Sequence, residues 1–471
     1  MAKTLFFYDL ETSGLDPRES RIMQFAGIRT DMKFEPIGEP INLLVRMTDD
    51  ILPSPEAIIV TGITPQMTVS EGYSESELCR ILMNDIFTPD TTVIGFNNIR
   101  FDDEFIRHLF WRNFYDPYEW SWKDGRSRWD MLDVVRMTRA LRPDGIKWPV
   151  DDNGNATNKL ELITSINNIG HYKAHDALSD VEALLSVTKL IKEKQPQIFE
   201  YLFKMRDKNE VKKLVNLENK SPFVYVSGRY DTVHSKATVA FPLTAGKNNN
   251  VVVYDLRYDP TALVNMSQKE LAKKLYASWD ERQADDFVKL PVKELHYNRA
   301  PAVAPISVLS QSDGWKKISI SEEIINKHKE LLLYNPSFAE NIRSLFEKYE
   351  DRNKSPDPES QLYNSFLPDI DKIRTEVVRN ASEHELVDLH PEFVDERLPK
   401  LLLHYKARNF PKSLSLDESE AWEIWRSEKI KANLPTFVDS LKKLSNITTD
   451  EAKLFVLNEL HLWAESIIPM E

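Results

Sequence analysis

The chain has 471 residues, 41% of them hydrophobic and 29% charged, with 74 acidic against 61 basic side chains and a formal charge of −13. That length exceeds what one hydrophobic core holds, so two or three domains are expected, and the acidic balance excludes a protein that coats nucleic acid through uniform positive charge while leaving room for a local basic channel. One cysteine, Cys79, excludes an intrachain disulfide or a cysteine-rich zinc site, and apolar runs far short of the roughly 18 residues of a membrane span, with no signal-peptide pattern, predict a cytoplasmic protein without a membrane partner.

Thr4 to Asp9, Arg21 to Thr30 and Pro40 to Arg46 read as three successive strands, the first nearly continuous in apolar residues like a buried central strand. Glu75 to Phe87 places Leu78, Ile81, Leu82 and Ile86 at helical spacing. Thr92 to Phe96 reads as a short buried strand running into Asn97-Asn98, and helical spacing resumes from Asp102 to Trp111 through Phe105, Ile106, Leu109 and Phe110. A meander followed by alternating helices and strands predicts an α/β domain with a mixed sheet over residues 1–195. From about Tyr201 the texture changes. A charged helix around Lys204 to Lys213 precedes Pro222 to Ser227, Lys236 to Pro242 and Asn250 to Leu256, which read as strands parted by turn residues and predict a β-rich domain over 196–350. Asp351 to Pro358 reads as a linker. Residues 351–471 carry helical periodicity, as in Arg397, Leu398, Leu401, Leu402 and Tyr405, with little strand signal.

Three short segments place charged groups where strands end or helices begin. In Asp9-Leu10-Glu11-Thr12-Ser13-Gly14, the two carboxylates point to one side of a strand because strand side chains alternate with period two. Like charges so close are costly without a cation between them, and a divalent metal is the usual answer. In Gly95 to Asp102 a buried strand turns into a helix with Asp102 near its start. In His175-Asp176-Ala177-Leu178-Ser179-Asp180 a helix opens with Asp180 in its first turns and His175 on the preceding loop. Each segment alone reads more readily as an ordinary turn or helix start. Together they form a specific set.

The ordered series D-x-E-T-S-G, N-N-x-x-F-D and H-x-x-x-x-D resembles the DEDDh exonuclease superfamily, with its ribonuclease H-like fold. The resemblance implies 3′ to 5′ phosphodiester hydrolysis by two divalent metals, Mg²⁺ first and Mn²⁺ as an alternative, releasing nucleoside 5′-monophosphates. Carried onto matching positions, Asp9 bridges the metals, Glu11 and Asp180 complete the tighter site, Asp102 serves the second, and His175 is the general base, a task suited to an imidazole whose ordinary pKa is near neutrality. Thr12, Ser13, Gly14 and Phe101 fall against the terminal nucleotide. Asn97 stands where many members carry histidine and receives no catalytic role. Asp103, Glu104 and Asp176 read as solvated helix charges, and His171, the rival base, lies at the wrong spacing from Asp180.

Over its whole length the chain resembles the bacterial exodeoxyribonuclease I family, through Thr61-Gly62-Ile63-Thr64-Pro65, Arg112 to Tyr118, Ser127-Arg128-Trp129-Asp130, Ala140 to Ile146, Leu362-Tyr363-Asn364 and Tyr405 to Pro411. This implies a ribonuclease H-like exonuclease domain, an SH3-like β domain and a helical C-terminal domain enclosing single-stranded DNA for processive digestion. Arg100, Trp120, Trp122, Arg128 and Trp129 are candidates to line that passage, with core packing as the competing reading for the tryptophans. It also implies a partner, the C-terminal tail of single-stranded DNA-binding protein, for which Arg142, with capping of a helix C-terminus as its competing reading, and Tyr201 fall at matching positions. The lack of a coiled-coil pattern or exposed apolar stripe predicts a monomer, nucleoid-associated in the cytoplasm. Two other functions share parts of the pattern. A 3′ exoribonuclease has the same catalytic set, and a single-strand-binding scaffold with a decayed site would have no physical reason to keep paired carboxylates.

Overall fold

The apolar run Leu5-Phe6-Phe7-Tyr8 becomes the middle of a sheet in the computed structural model of the chain, which describes residues 3–170, 175–284, 287–311, 313–348 and 355–469. Two compact units emerge, and they are not consecutive in sequence. One combines Met1–Ser127, His171–Leu185 and Asn353–Glu471, and the other combines Arg128–Gly170 and Ser186–Arg352. His171 and residues 351–354 of the expected linker lie outside the described residues.

In the first unit β1 (Thr4–Thr12) lies between β2 (Ile22–Thr30) and β4 (Thr91–Gly95), with β3 (Ile41–Leu44) beyond β2. β1 and β2 are antiparallel, with Asp9 opposite Ala26 and Glu11 opposite Gln24. β1 and β4 are parallel, and their pairing stops at Phe7 and Ile94. The strand therefore runs three residues beyond the predicted end at Asp9, because β2 continues to pair with it after β4 has turned away. Phe6, Tyr8 and Leu10 share one face with Phe25, Leu78, Phe105 and Leu109 in a core cluster. Phe25 stacks between Phe6 and Tyr8, its ring centroid 6.1 and 6.0 Å from theirs. At Gly27 a Cβ would sit 2.3 Å from the Phe6 ring, so only glycine admits that ring.

The helix α1 (Glu75–Ile81), opened by a reciprocal Ser74–Glu77 capping box, passes into a π-turn at Leu82–Ile86 instead of continuing to Phe87. After β4, α2 (Asp102–Arg112) buries Phe105, Ile106, Leu109 and Phe110, as their spacing predicts. α3 (Ala177–Lys194) begins just after His175, and α4 (Arg397–Asn409), α5 (Leu416–Ile447) and α6 (Glu451–Ile467) follow in the C-terminal stretch. Phe437, Leu441, Leu460 and Trp463 from α5 and α6 pack with Met23, Met47, Ile58 and Ile63 in a second cluster. The C-terminal helices thus share a core with the N-terminal sheet.

A short strand, β5 (Ser127–Asp130), spans the sequence boundary between the units. The second unit holds an antiparallel sheet of order β10-β6-β7-β8-β9, built from β6 (Phe223–Val226), β7 (Ala237–Ala245), β8 (Val251–Asp255), β9 (Val292–Leu295) and β10 (Val303–Pro305). Phe223, Tyr225, Val251, Val253, Leu295 and Val303 form its core with Val211 and Val215. The last two strands have no strong sequence signal, since each is four residues or fewer and takes its order from its neighbour. No helix among the described residues is long and apolar enough to cross a membrane.

Phe25→Ala removes the ring between Phe6 and Tyr8, and a buried Phe-to-Ala change costs about 3–5 kcal/mol. Denaturant unfolding monitored on the first unit should show that loss; a change under about 1 kcal/mol would mean this face is not tightly packed.

Candidate active site

Parallel strands end on the same edge of a sheet, so the turn after β4 and the end of β1 share one side of the first unit. Asp9 and Glu11 lie on the face of β1 opposite Phe6, Tyr8 and Leu10. Asp180, in the first turn of α3, meets them there: Asp9, Glu11 and Asp180 each offer a carboxylate oxygen within 4.8 Å of the other two. α3 is held to the sheet at its start, where the Ala177 N–H donates to Gln24 Oε1 at 3.4 Å. The Asp102 carboxylate, at the start of α2, is close enough to act on the charge of Asp9.

Burial, and then repulsion from Asp102, Glu11 and Asp180, holds the Asp9 carboxyl well above the usual carboxylate range. Glu11 is pushed up to about 8, first by burial and then by Asp180 and Asp176. These carboxylates cannot all ionise together without a cation among them. Their oxygen-only donor set fits a divalent hard cation, which takes carboxylates alongside water and substrate oxygens. Asp357, Glu359 and His404 form another group of potential ligands. There, however, Arg21 and Arg408 lie 2.8 and 2.6 Å from Glu359 and hold it well below its ordinary range, so that group is an ion-pair cluster whose cations are already present.

His175 is exposed, has a left-handed φ of +64°, and its backbone N–H donates to Asp180 Oδ2 at 3.2 Å. This bond ties the loop bearing the expected base to a member of the carboxylate group. Thr12, Ser13 and Gly14 are all buried. Thr12 Oγ1 donates to the Gly14 carbonyl at 2.8 Å, and a Cβ at Gly14 would lie 2.5 Å from Ser20 Oγ. Leu15, next in the chain, is 83% exposed. An exposed leucine after a buried turn was open to notice in the sequence, but only the structure shows that it is uncovered. Phe101 is half-buried against the core, 5.0 Å from the Phe105 ring, and Arg100 is exposed.

Several expected positions turn out differently. Asp103 is not a solvated helix charge. It is buried and accepts the Tyr8 hydroxyl at 2.6 Å and Asn98 Nδ2 at 3.2 Å. Glu104 pairs with Arg107 at 2.7 Å, while Asp176 accepts the Ser179 N–H at the start of α3. In the first unit, Trp120 is wholly buried against Phe87, whereas Trp122 is exposed. In the second unit, Trp129 is buried edge-on to Phe199 and Phe203, at 5.1 and 5.0 Å, which leaves no face for a nucleobase. Arg128 is buried too and donates from Nη2 to the Asn298 carbonyl at 3.0 Å. Burial therefore places Trp120, Arg128 and Trp129 in packing rather than along a DNA passage. Arg142 caps its own helix, Met131–Leu141, donating to the Leu141 carbonyl at 2.8 Å, and reaches Gln311 Oε1 at 3.0 Å; Tyr201 is half-buried at the edge of the second unit's core.

Residues 6–188 match a family model described as exonuclease, 206–348 one described as the exonuclease I SH3-like domain, and 356–467 the exonuclease I C-terminal domain. Exodeoxyribonuclease I of Haemophilus influenzae is 38% identical over 461 residues, covering 97% of each chain. The crystal structure of E. coli exonuclease I in complex with a dA16 oligonucleotide superposes with a TM-score of 0.95 at 36% identity, covering 99% of this chain and 100% of the other. A moderately thermophilic exonuclease I from Methylocaldum szegediense gives 0.94 at 37% identity over the same shares.

The raised carboxyls give a pH test on the metal-free protein. A carboxyl with pKa near 4.5 unfolded and about 8 folded binds more protons in the folded state, so it destabilises the fold increasingly as pH rises from about 4.5 to 8. Glu11→Gln should accordingly raise the melting temperature in chelator at pH 8.5 and have little effect at pH 4.5. Equal shifts at both pH values would show that Glu11 carries no such strain.

Proposed function

The chain belongs to the exonuclease I family, and from that premise we propose that it removes nucleotides processively from the 3′ end of single-stranded DNA, releasing nucleoside 5′-monophosphates. The observation that carries this reading is the convergence of Asp9, Glu11 and Asp180 within 4.8 Å, with Asp102 acting on Asp9 from the start of α2. Asp9, Glu11 and Asp180 would hold one divalent ion, and Asp102 beside Asp9 would help to hold a second, with Mg²⁺ as the expected metal. Bound there, two such ions supply Lewis acidity to the attacking and leaving oxygens of an in-line displacement.

His175, on the loop leading into α3, takes a proton from the attacking water. The water oxygen bonds to the terminal phosphorus as the P–O3′ bond breaks; the departing O3′ takes a proton from solvent and becomes the new 3′-hydroxyl of the shortened strand, while the departing nucleoside carries the 5′-monophosphate. The tie from the His175 N–H to Asp180 keeps the base near the carboxylates without occupying its imidazole. The Thr12-Ser13-Gly14 turn packs against the terminal nucleotide, while Leu15 and Phe101 supply apolar surface for its base or sugar. Arg100, which is exposed and precedes Phe101 in the chain, is the remaining charged candidate for the strand.

In the second unit, Arg142 and Tyr201 are our candidates for the acidic, apolar C-terminal tail of single-stranded DNA-binding protein. A guanidinium suits the terminal carboxylate and an aromatic edge suits the apolar side chains. The chain works as a cytoplasmic monomer in this reading.

Incubation of 3′- and 5′-labelled single-stranded DNA, duplex DNA and matched RNA with Mg²⁺ or EDTA tests the reading directly. Metal-dependent mononucleotide release from the 3′ end of the DNA single strand is expected, and faster loss of RNA would redirect the substrate. Asp9→Ala should abolish turnover. His175→Ala should lower it about 10²- to 10⁴-fold and erase the rise of rate with pH that a general base produces; an unchanged pH profile would remove His175 from that role.

A further inference from the structure

The turn that follows the Asp9–Glu11 pair is fastened from one side by Arg21. The Ser13 N–H donates to the Arg21 carbonyl at 2.8 Å, and the Arg21 N–H donates to Ser13 Oγ at 2.8 Å. A third bond, from the Ser54 N–H to the Ser13 carbonyl at 2.7 Å, closes the seat. The position of Ser13 therefore follows the position of Arg21, and the Arg21 side chain runs away from the site into a buried cluster of charges.

There its Nη2 lies 2.8 Å from Glu359 Oε2, while Asp50 and Glu75 stand farther off at 3.7 and 3.8 Å. Arg21 Nε has no hydrogen-bond acceptor among the described residues, and Nη1 makes longer bonds to the Glu19 and Ser20 carbonyls at 3.4 and 3.2 Å. Among the described residues Glu359 is thus the one close ionic hold on this guanidinium. Glu359 is itself fixed by Arg408 Nη1 at 2.6 Å and His404 Nδ1 at 2.7 Å, both on α4. Asp50 draws in Arg408 Nη2 and Lys429 Nζ at 2.8 Å each, and Glu75 is occupied by Arg112 at 2.6 Å.

Buried ion pairs are poor sources of net stability, because desolvation cancels most of their attraction, while removal of one partner leaves an uncompensated charge. An apolar contact would serve packing equally well. What the cluster adds is a single defined position for each guanidinium, and that of Arg21 is transmitted through two backbone hydrogen bonds to Ser13. We propose that Glu359 is a positioning residue of the exonuclease site: through Arg21 it holds the Thr12–Gly14 turn where the 3′-terminal nucleotide binds, so the C-terminal segment takes part in forming the nucleotide seat. The inference rests on the reading that this turn receives the terminal nucleotide.

The test is a kinetic cycle with Glu359→Gln, Ser13→Ala and the double variant on a trideoxynucleotide, too short to report how a long strand is tracked. Glu359→Gln keeps the shape of the side chain but removes its charge, so Arg21 loses its close anion and faces Arg408. The expected result is a rise in KM of about tenfold with kcat changed by less than about threefold, and a double variant no worse than the worse single one, because both changes act through the same turn. If Ser13→Ala raises KM and Glu359→Gln alters only the melting temperature, the positioning role is overturned while the reading of the turn stands. If Ser13→Ala leaves KM unchanged, the reading of the turn fails and the inference falls with it. Fully multiplicative effects would also overturn the inference. Should Glu359→Gln not yield folded protein, Glu359→Asp, which retains the charge but withdraws it by one methylene, decides on the same criterion: a KM rise supports the role and an unchanged KM overturns it.

Discussion

Repulsion among carboxylates held out of water is the constraint on which the first unit is built. Asp9 and Glu11 are on one face of a strand whose pairing with β2 continues after β4 has left. Asp180 and Asp102 each come from the first turn of a helix, where unpaired N–H groups and the helix dipole favour negative charge. The remaining cost appears in the raised protonation ranges of Asp9 and Glu11. A site that resists ionising in the absence of a cation is poised to take one up, with proton release coupled to metal binding.

Holding such a group requires a rigid surround, and two kinds of packing provide it. The apolar side of β1 is covered by aromatic rings in contact, from Phe6 and Tyr8 through Phe25 to the residues of α2. The rim is secured by the buried ion cluster in which Arg21, Arg112, Arg408 and Lys429 meet Asp50, Glu75 and Glu359. Trp422 and Trp425 lie over the Arg408 guanidinium at 5.3 and 5.7 Å, shielding it further from solvent. This cluster joins the N-terminal sheet to helices more than three hundred residues away in sequence, which is why the first unit is discontinuous.

The second unit uses charge in another way. Lys293 lies over the rings of Tyr225 and Tyr230, at 4.4 and 5.2 Å, and Lys212 lies over Tyr297 at 5.4 Å. Lys204 and Lys213 are exposed and share Glu210, at 3.0 and 2.5 Å. Exposed pairs of this kind contribute little to stability. The single charged helix expected from Lys204 to Lys213 is broken, with Lys204 ending the helix Pro196–Lys204 and Lys213 lying on the helix Lys208–Leu214, and its exposed lysines are solvated surface charges.

The carboxylate group was legible because its placement is local. Period two in β1 determines that Asp9 and Glu11 share a face, and the apolar periodicity of α2 and α3 puts Asp102 and Asp180 at helix starts, whatever the remainder of the chain does. The longer periodic strands and helices were legible for the same reason, with β1 outrunning Asp9, while the short strands β9 and β10 and the break in the expected Lys204–Lys213 helix were not. Tertiary structure decided which side chains face solvent. Asp103 became the buried acceptor of Tyr8, Trp129 and Arg128 were enclosed while Trp122 and Leu15 were left uncovered, and Glu359 came to grip Arg21 from 338 positions away. Burial and long-range ion pairing depend on which surfaces meet in three dimensions, and no periodicity along the chain encodes that; the sequence by itself determined the chemistry and the elements that carry it, and the tertiary structure decided what holds them in place.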